Sequence, residues 1–166
     1  MSPPHEQEFR RTVGLMPSGV TVVAAFGTDG PVGATASAVC SLSLRPMMML
    51  VCLDLDSRTL AAVREAERFS INVLCEEQRP QAELFASKVD QSEKWASVSW
   101  HGDLEVPLIE DCPATIACRR VDLIPAGDHV IVTGEVLEVD YDPEAAEPLV
   151  YHGGLFRTLD PTAEGR

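Results

Sequence analysis

The chain has 166 residues, 45% of them hydrophobic, which is enough for one domain with its own core and no disulfide or metal staples. Its 26 acids against 13 bases give a formal charge of -13, and no Lys/Arg cluster interrupts the excess, so a nucleic-acid backbone is excluded as a partner. Five cysteines without a Cys-x-x-Cys pair exclude a disulfide framework and a zinc knuckle; they read as small buried hydrophobes.

Met1 to Arg11 holds no apolar core of signal-peptide length, and the longest apolar run, Met47 to Leu53, is too short to span a bilayer. The expected compartment is the cytoplasm. Phe9, Val13 and Met16 fall at helical spacing before Pro17-Ser18-Gly19 breaks the pattern, which predicts one short amphipathic helix. Val20 to Phe26 and the stretch after Pro31 predict a hairpin about a Gly27 to Gly30 turn. Gly33 to Ser43 carries Thr35, Ser37, Ser41 and Ser43 with hardly any bulk. It reads either as a shelf for a flat ligand or as a strand with small residues packed under a helix.

Met47 to Leu53 reads as a central strand buried on both faces. Ser57 or Asp56 then caps a helix whose first turn, with Ser57, Arg58 and Thr59, offers a small anion site or only a cap beside a solvated arginine. Phe69 to Leu74 predicts a strand and Gln78 to Ser87 a short helix, with Phe85 as core or pocket edge. Lys88 to Trp100 predicts a short helix and an exposed loop whose tryptophans sit at a partner interface. Ala114 to Leu123 and Val130 to Tyr141 alternate as strands, the second bent or bulged at Gly134, with His129 at its mouth. A short strand, Pro148 to Tyr151, leads to a glycine-flexed turn holding His152, Phe156 and Arg157. Many short strands, few helices and no βαβ alternation predict a mainly β fold: a closed antiparallel barrel with peripheral helices. A single domain over 1–166 is expected, with its core at about 8–157 and flexible tails at 1–5 and 160–166.

The four histidines are too scattered for a metal set, and the nucleophile elbow, Walker lysine loop and Gly-x-Gly-x-x-Gly fingerprint are all missing. What remains suits a phosphorylated flat cofactor that carries the chemistry itself.

The chain resembles the short-chain flavin reductases, the reductase components of two-component flavin-dependent monooxygenases. The resemblance rests on Met16-Pro17-Ser18-Gly19-Val20-Thr21-Val22, Gly33-Ala34-Thr35-Ala36-Ser37-Ala38 with Ser41-Leu42-Ser43, and Ser57-Arg58-Thr59. It continues through Phe69 to Leu74, Phe85-Ala86, Gly127-Asp128-His129 and Leu149 to Gly154. It implies an antiparallel Greek-key split β-barrel, a homodimer, and hydride transfer from NADH or NADPH to FMN or FAD. By the resemblance, Ala34, Thr35, Ala36, Ser37 and Ser41 border the flavin, Ser57, Arg58 and Thr59 hold its phosphate, and Phe85 and Ala86 close one side. His129 meets the nicotinamide as the catalytic residue, with His152 and Gly153 beside the nucleotide. Asp54 and Asp56 flank the phosphate residues where many relatives are more basic, which implies a flavin that diffuses to a separate monooxygenase. The alternative is a non-catalytic flavin carrier on the same barrel.

Overall fold

The computed structural model describes residues 5–144 and 146–159; apart from His5, the expected tails at 1–5 and 160–166 lie outside the described residues. The chain opens with helix α1 (Glu6–Val13), where Glu6 and Arg10 pair across one turn at 2.7 Å and no residue is buried. Strands β1 (Ser18–Gly19), β2 (Thr21–Gly27), β3 (Gly30–Ala36), β4 (Val39–Leu44) and β5 (Met47–Asp54) follow, then helix α2 (Arg58–Ala66) and strand β6 (Arg68–Val73). Helices α3 (Arg79–Ala86) and α4 (Gln91–Ala96) precede the short strands β7 (Trp100–His101) and β8 (Leu108–Ile109). Two long strands, β9 (Ala114–Ala126) and β10 (His129–Tyr141), lead to the hairpin of β11 (Val150–His152) and β12 (Leu155–Arg157).

Seven strands form one antiparallel sheet in the order β3-β2-β6-β9-β10-β5-β4. Its two edge strands, β3 and β4, are consecutive in the chain and joined by only Ser37 and Ala38, so the sheet has to curl until its edges approach at that end. The Cys52 N–H donates to the Ala38 carbonyl at 2.9 Å and fixes the join. No ladder forms between β3 and β4 among the described residues, which corrects the closed barrel expected from the strand pattern: the curl is a split barrel. The β2–β3 hairpin turns as predicted, and Gly30 at φ +126° needs the freedom only glycine has.

Alternation along β2 divides the core. Val23 and Ala25 point into the barrel, where Leu60, Ala62 and Val63 of α2 plug it against Phe69, Ile71, Val51 and Val132. Val22 and Ala24 point outward, under Ala82 and Phe85 of α3 and Trp95 of α4. The strands buried on both faces are therefore β2 and its neighbour β6, which corrects the expectation for Met47 to Leu53. In β5 only Val51 and Leu53 are buried and Met47 is 58% exposed. The physical reason is cover: α3 and α4 lie over the β2–β3 side, so the outward residues of β5, Met48, Leu50 and Cys52, stay only half-buried.

Two further expectations are corrected. Trp95 and Trp100 belong to the outer core cluster, stacked edge-on at 5.5 Å, and not to an exposed interface loop. Of the cysteines only Cys75 and Cys118 are buried; Cys52 and Cys112 are half-buried, and Cys40 faces solvent from the uncovered strand β4. Burial pushes the Cys118 and Cys112 thiols up to about 12. No helix among the described residues is long and apolar enough to cross a membrane, and no cluster of possible metal ligands occurs among them.

Candidate active site

A cavity of about 560 Å³ opens between the β3 edge, the C-terminal end of α3 and the β11–β12 hairpin. Its volume lies within the range of small-molecule sites, roughly 300–1,000 Å³. Thr35 and Ser37 line it from β3, Ala86 and Ser87 from the end of α3, and Tyr151, Gly154 and Phe156 from the hairpin. Tyr151 and Phe156 stack edge-on at 5.5 Å, and the Arg79 guanidinium lies 5.8 Å from the Phe156 ring while its Nε pairs with Glu83 at 3.0 Å. Arg79 and Glu83 belong to no sequence motif, and Tyr151 lies in the Leu149 to Gly154 motif without a pocket role assigned to it. Their places follow from the hairpin folding back over α3.

Strand β3 reaches this cavity as an edge. The Gln91 amide accepts from the Gly33 N–H at 2.8 Å and donates to the Gly33 carbonyl at 3.0 Å, so Gly33 points its backbone groups away from β2. By the two-residue period of a ladder, the main-chain groups of Thr35 face the same free edge. The Thr35 hydroxyl donates to the Ala82 carbonyl at 2.7 Å, which leaves its oxygen as an acceptor towards a ligand. The small size of Gly33 has a different cause. A Cβ there would stand 3.0 Å from Trp95 and 3.1 Å from Phe85. The stretch divides by residue: Gly33 is small for core packing, whereas Thr35 and Ser37 line the cavity.

Other sequence-derived candidates lie elsewhere. Ala34 and Ala36 alternate onto the opposite face of β3 from Thr35, Ala36 against the barrel core, and Ser41 lies at the bulge of β4. Phe85 is buried behind the wall, edge-on to Trp95 at 5.0 Å, so Ala86 alone of that pair lines the cavity. Ser57 caps α2 as expected, its oxygen accepting from the Thr59 and Leu60 N–H groups at 3.2 and 3.4 Å. Its own proton remains available for donation. Among the described residues the buried Thr59 hydroxyl has no hydrogen-bond partner, the kind of orphan a phosphate oxygen satisfies. Arg58 is held by Asp90 at 3.2 Å and by the Val89 carbonyl at 3.3 Å. The Ser92 amide first, then the Ser92 hydroxyl and Arg58, hold the Asp90 carboxyl below the usual carboxylate range.

His129 stands with this second group. It pairs in register with Asp54, and the Leu55 N–H donates to the Asp128 carbonyl at 3.1 Å, so the Gly127-Asp128 turn rests on the turn that leads into Ser57. Its Nδ1 lies 2.8 Å from Asp128 Oδ1, a contact that lowers the Asp128 pKa. His129 and the Ser57 group do not line the 560 Å³ cavity within one chain. His152 and Gly153 sit in the hairpin over it, the Gly153 N–H donating to the Gly14 carbonyl at 2.8 Å.

Comparison with known proteins gives the geometry a context. A reductase component of a 4-nitrophenol 4-monooxygenase/4-nitrocatechol 2-monooxygenase from Rhodococcus opacus is 40% identical over 161 residues, covering 97% of this chain and 85% of that protein. A flavin reductase (NADH) from Kitasatospora aureofaciens is 40% identical over 147 residues, covering 86% and 76%. Among solved structures, the NADH:FAD oxidoreductase SgcE6 of Streptomyces globisporus C-1027, in complex with NAD and FAD fragments, superposes with a TM-score of 0.90 at 32% identity and covers 99% of each chain. The family model described as a flavin reductase like domain matches residues 13–160. With residues 13–160 of its 166 matched, this chain belongs to the flavin reductase-like family.

Proposed function

We propose that the chain is an NADH-dependent flavin reductase that delivers reduced FMN or FAD to a separate monooxygenase component. The observation that carries this reading is the cavity in which the Thr35–Ser37 edge meets Ala86 and the β11–β12 hairpin, in a chain alike over almost its whole length to NADH-using flavin reductases. Bound flavin supplies a ring that accepts a hydride from the nicotinamide. The protein's part is to hold the two rings in contact, roughly 3–3.5 Å apart at the reacting atoms, because effective molarity and not a protein base lowers this barrier.

Thr35 offers an acceptor and the free β3 edge offers main-chain groups to the ring and its polar side chain. Thr59 and the proton of Ser57 suit the phosphate, with Arg58 beside them. Ala34, Ala36, Ser41 and Phe85 support this site from behind or from its margins. His129 is assigned to the nicotinamide, with His152 and Gly153 on the nucleotide. Arg58 is already neutralised by Asp90, and Asp54 and Asp56 lie close by, so the phosphate is held weakly and the flavin leaves as a product.

Exposed apolar side chains at Met16, Leu44 and Tyr141 support a homodimer. Five free cysteines and a dependence on NADH support the cytoplasm. Purified protein mixed with NADH and catalytic FMN or FAD is expected to oxidise NADH continuously in air. No oxidation with either flavin, and none with NADPH, overturns the reading. His129→Ala is expected to cut kcat/KM for NADH at least tenfold while the Kd for oxidised flavin moves less than threefold.

A further inference from the structure

Lys94 is a buried cation without a carboxylate. It is 2% exposed, and no Asp or Glu oxygen lies within ion-pair distance of it among the described residues. Its Nζ instead donates to the Phe85 carbonyl at 3.0 Å and the Ser87 carbonyl at 2.8 Å, and it lies 5.9 Å from the Phe85 ring. Those two carbonyls flank Ala86, so the ammonium closes the C-terminal end of α3 and fixes the Ala86–Ser87 wall of the cavity. Burial, and after it the Arg58 charge, lower the Lys94 pKa, so holding this cation costs the fold stability.

Three residues earlier on the same helix face is Gln91, whose amide pairs both backbone groups of Gly33. Gly33 lies two residues before Thr35, so one short helix grips both walls of the cavity: β3 through Gln91 and the end of α3 through Lys94. Trp95 fills the space behind, against Phe85 and Gly33. Neither Gln91 nor Lys94 lines the cavity.

We propose that α4 is a brace that sets the spacing of the flavin cavity, with Lys94 and Gln91 as positioning residues that act through the Ala86–Ser87 and Gly33–Thr35 backbones. The inference rests on the flavin reading above. It gives the buried ammonium a role that ordinary core packing does not, since a hydrophobic side chain would fill the slot without the cost of desolvating a charge. Both residues reach the cavity only through the backbones of its walls, so loosening the brace should act on flavin affinity and leave the nucleotide side unchanged.

The test compares wild type with Lys94→Met, Lys94→Arg and Gln91→Ala. Flavin Kd is measured by quenching of FMN or FAD fluorescence, and NADH KM at saturating flavin. Lys94→Met and Gln91→Ala are expected to raise flavin Kd at least tenfold and fivefold, with NADH KM within twofold of wild type. Lys94→Arg keeps the charge and the donors and is expected to recover most of the affinity. If Lys94→Met does not fold, the half-buried Gln91 tests the same brace from the other wall. Flavin Kd within twofold of wild type in a folded Lys94→Met, or in Gln91→Ala, overturns the brace. Inactivity of the wild type with every flavin and nucleotide overturns the reductase reading instead, so the two failures are distinguishable.

Discussion

Asn72 uses both ends of its amide in the core. Its Nδ2 donates to the Val22 carbonyl at 3.0 Å and to Ser70 Oγ at 3.1 Å, while its Oδ1 accepts from the Ile109 N–H at 2.8 Å. Ser70 in turn donates to the Pro107 carbonyl, so two buried side chains tie β2, β6 and the segment around β8 together. The strand expected over Phe69 to Leu74 forms as β6, and within it Ser70 and Asn72 act as a polar rivet and do not line the cavity. Asn72→Ala strands the Ile109 N–H in the core, while the Val22 carbonyl keeps its ladder partner on β6, and a loss of about 2 kcal/mol is expected from urea unfolding with an unchanged m-value. A loss below about 1 kcal/mol would show that water or local rearrangement replaces the amide.

At the scale of elements, β9 and β10 form the longest pairing in the fold, with register shifts at Thr133/Gly134 and at Val136/Glu138. The predicted irregularity at Gly134 is present, but its cause is steric and not conformational. A Cβ at Gly134 would stand 2.6 Å from the Phe69 ring and 2.9 Å from the Cys118 Cβ, deep in the barrel. Neither neighbour can withdraw, because both are fully buried. Gly134→Ala is therefore expected to cost about 1–3 kcal/mol, read as a lower melting temperature. Adding Phe69→Leu should recover part of it. A variant as stable as wild type would mean that the bulge shifts to make room.

At the scale of the whole molecule, the barrel is covered on one side only. Helices α3 and α4 shield the outer face of β2 and β3, while β4, the start of β5 and the far end of β10 leave Leu44 83% and Tyr141 71% exposed. Helix α1 adds Phe9 and Val13 without burying either. This much apolar surface on so acidic a chain suits a partner of the same kind. Sedimentation equilibrium at micromolar concentration is expected to give twice the 18.0 kDa of one chain. A monomer at that concentration overturns the homodimer.

The sequence by itself determined the elements and the family. The β2–β3 hairpin, the Ser57 cap, the bend at Gly134 and the order of motifs from Met16 to Gly154 are all local or linear signals. Cover and convergence were decided by the tertiary structure. The run Met47 to Leu53 is apolar whichever way it faces, and only the placement of α3 and α4 leaves its outer side half-buried while burying both sides of β2. The hydroxyls of Gly33 to Ser43 look alike in sequence, but strand alternation and the position of the sheet edge put Thr35 and Ser37 in the cavity and Ala34 and Ala36 behind it. His129 joins the Ser57 turn and not the cavity because β10 pairs with β5. Gln91 and Lys94 gave no signal at all, since a side chain that grips another segment's backbone leaves no pattern at its partner: carbonyls and amides are the same in every residue.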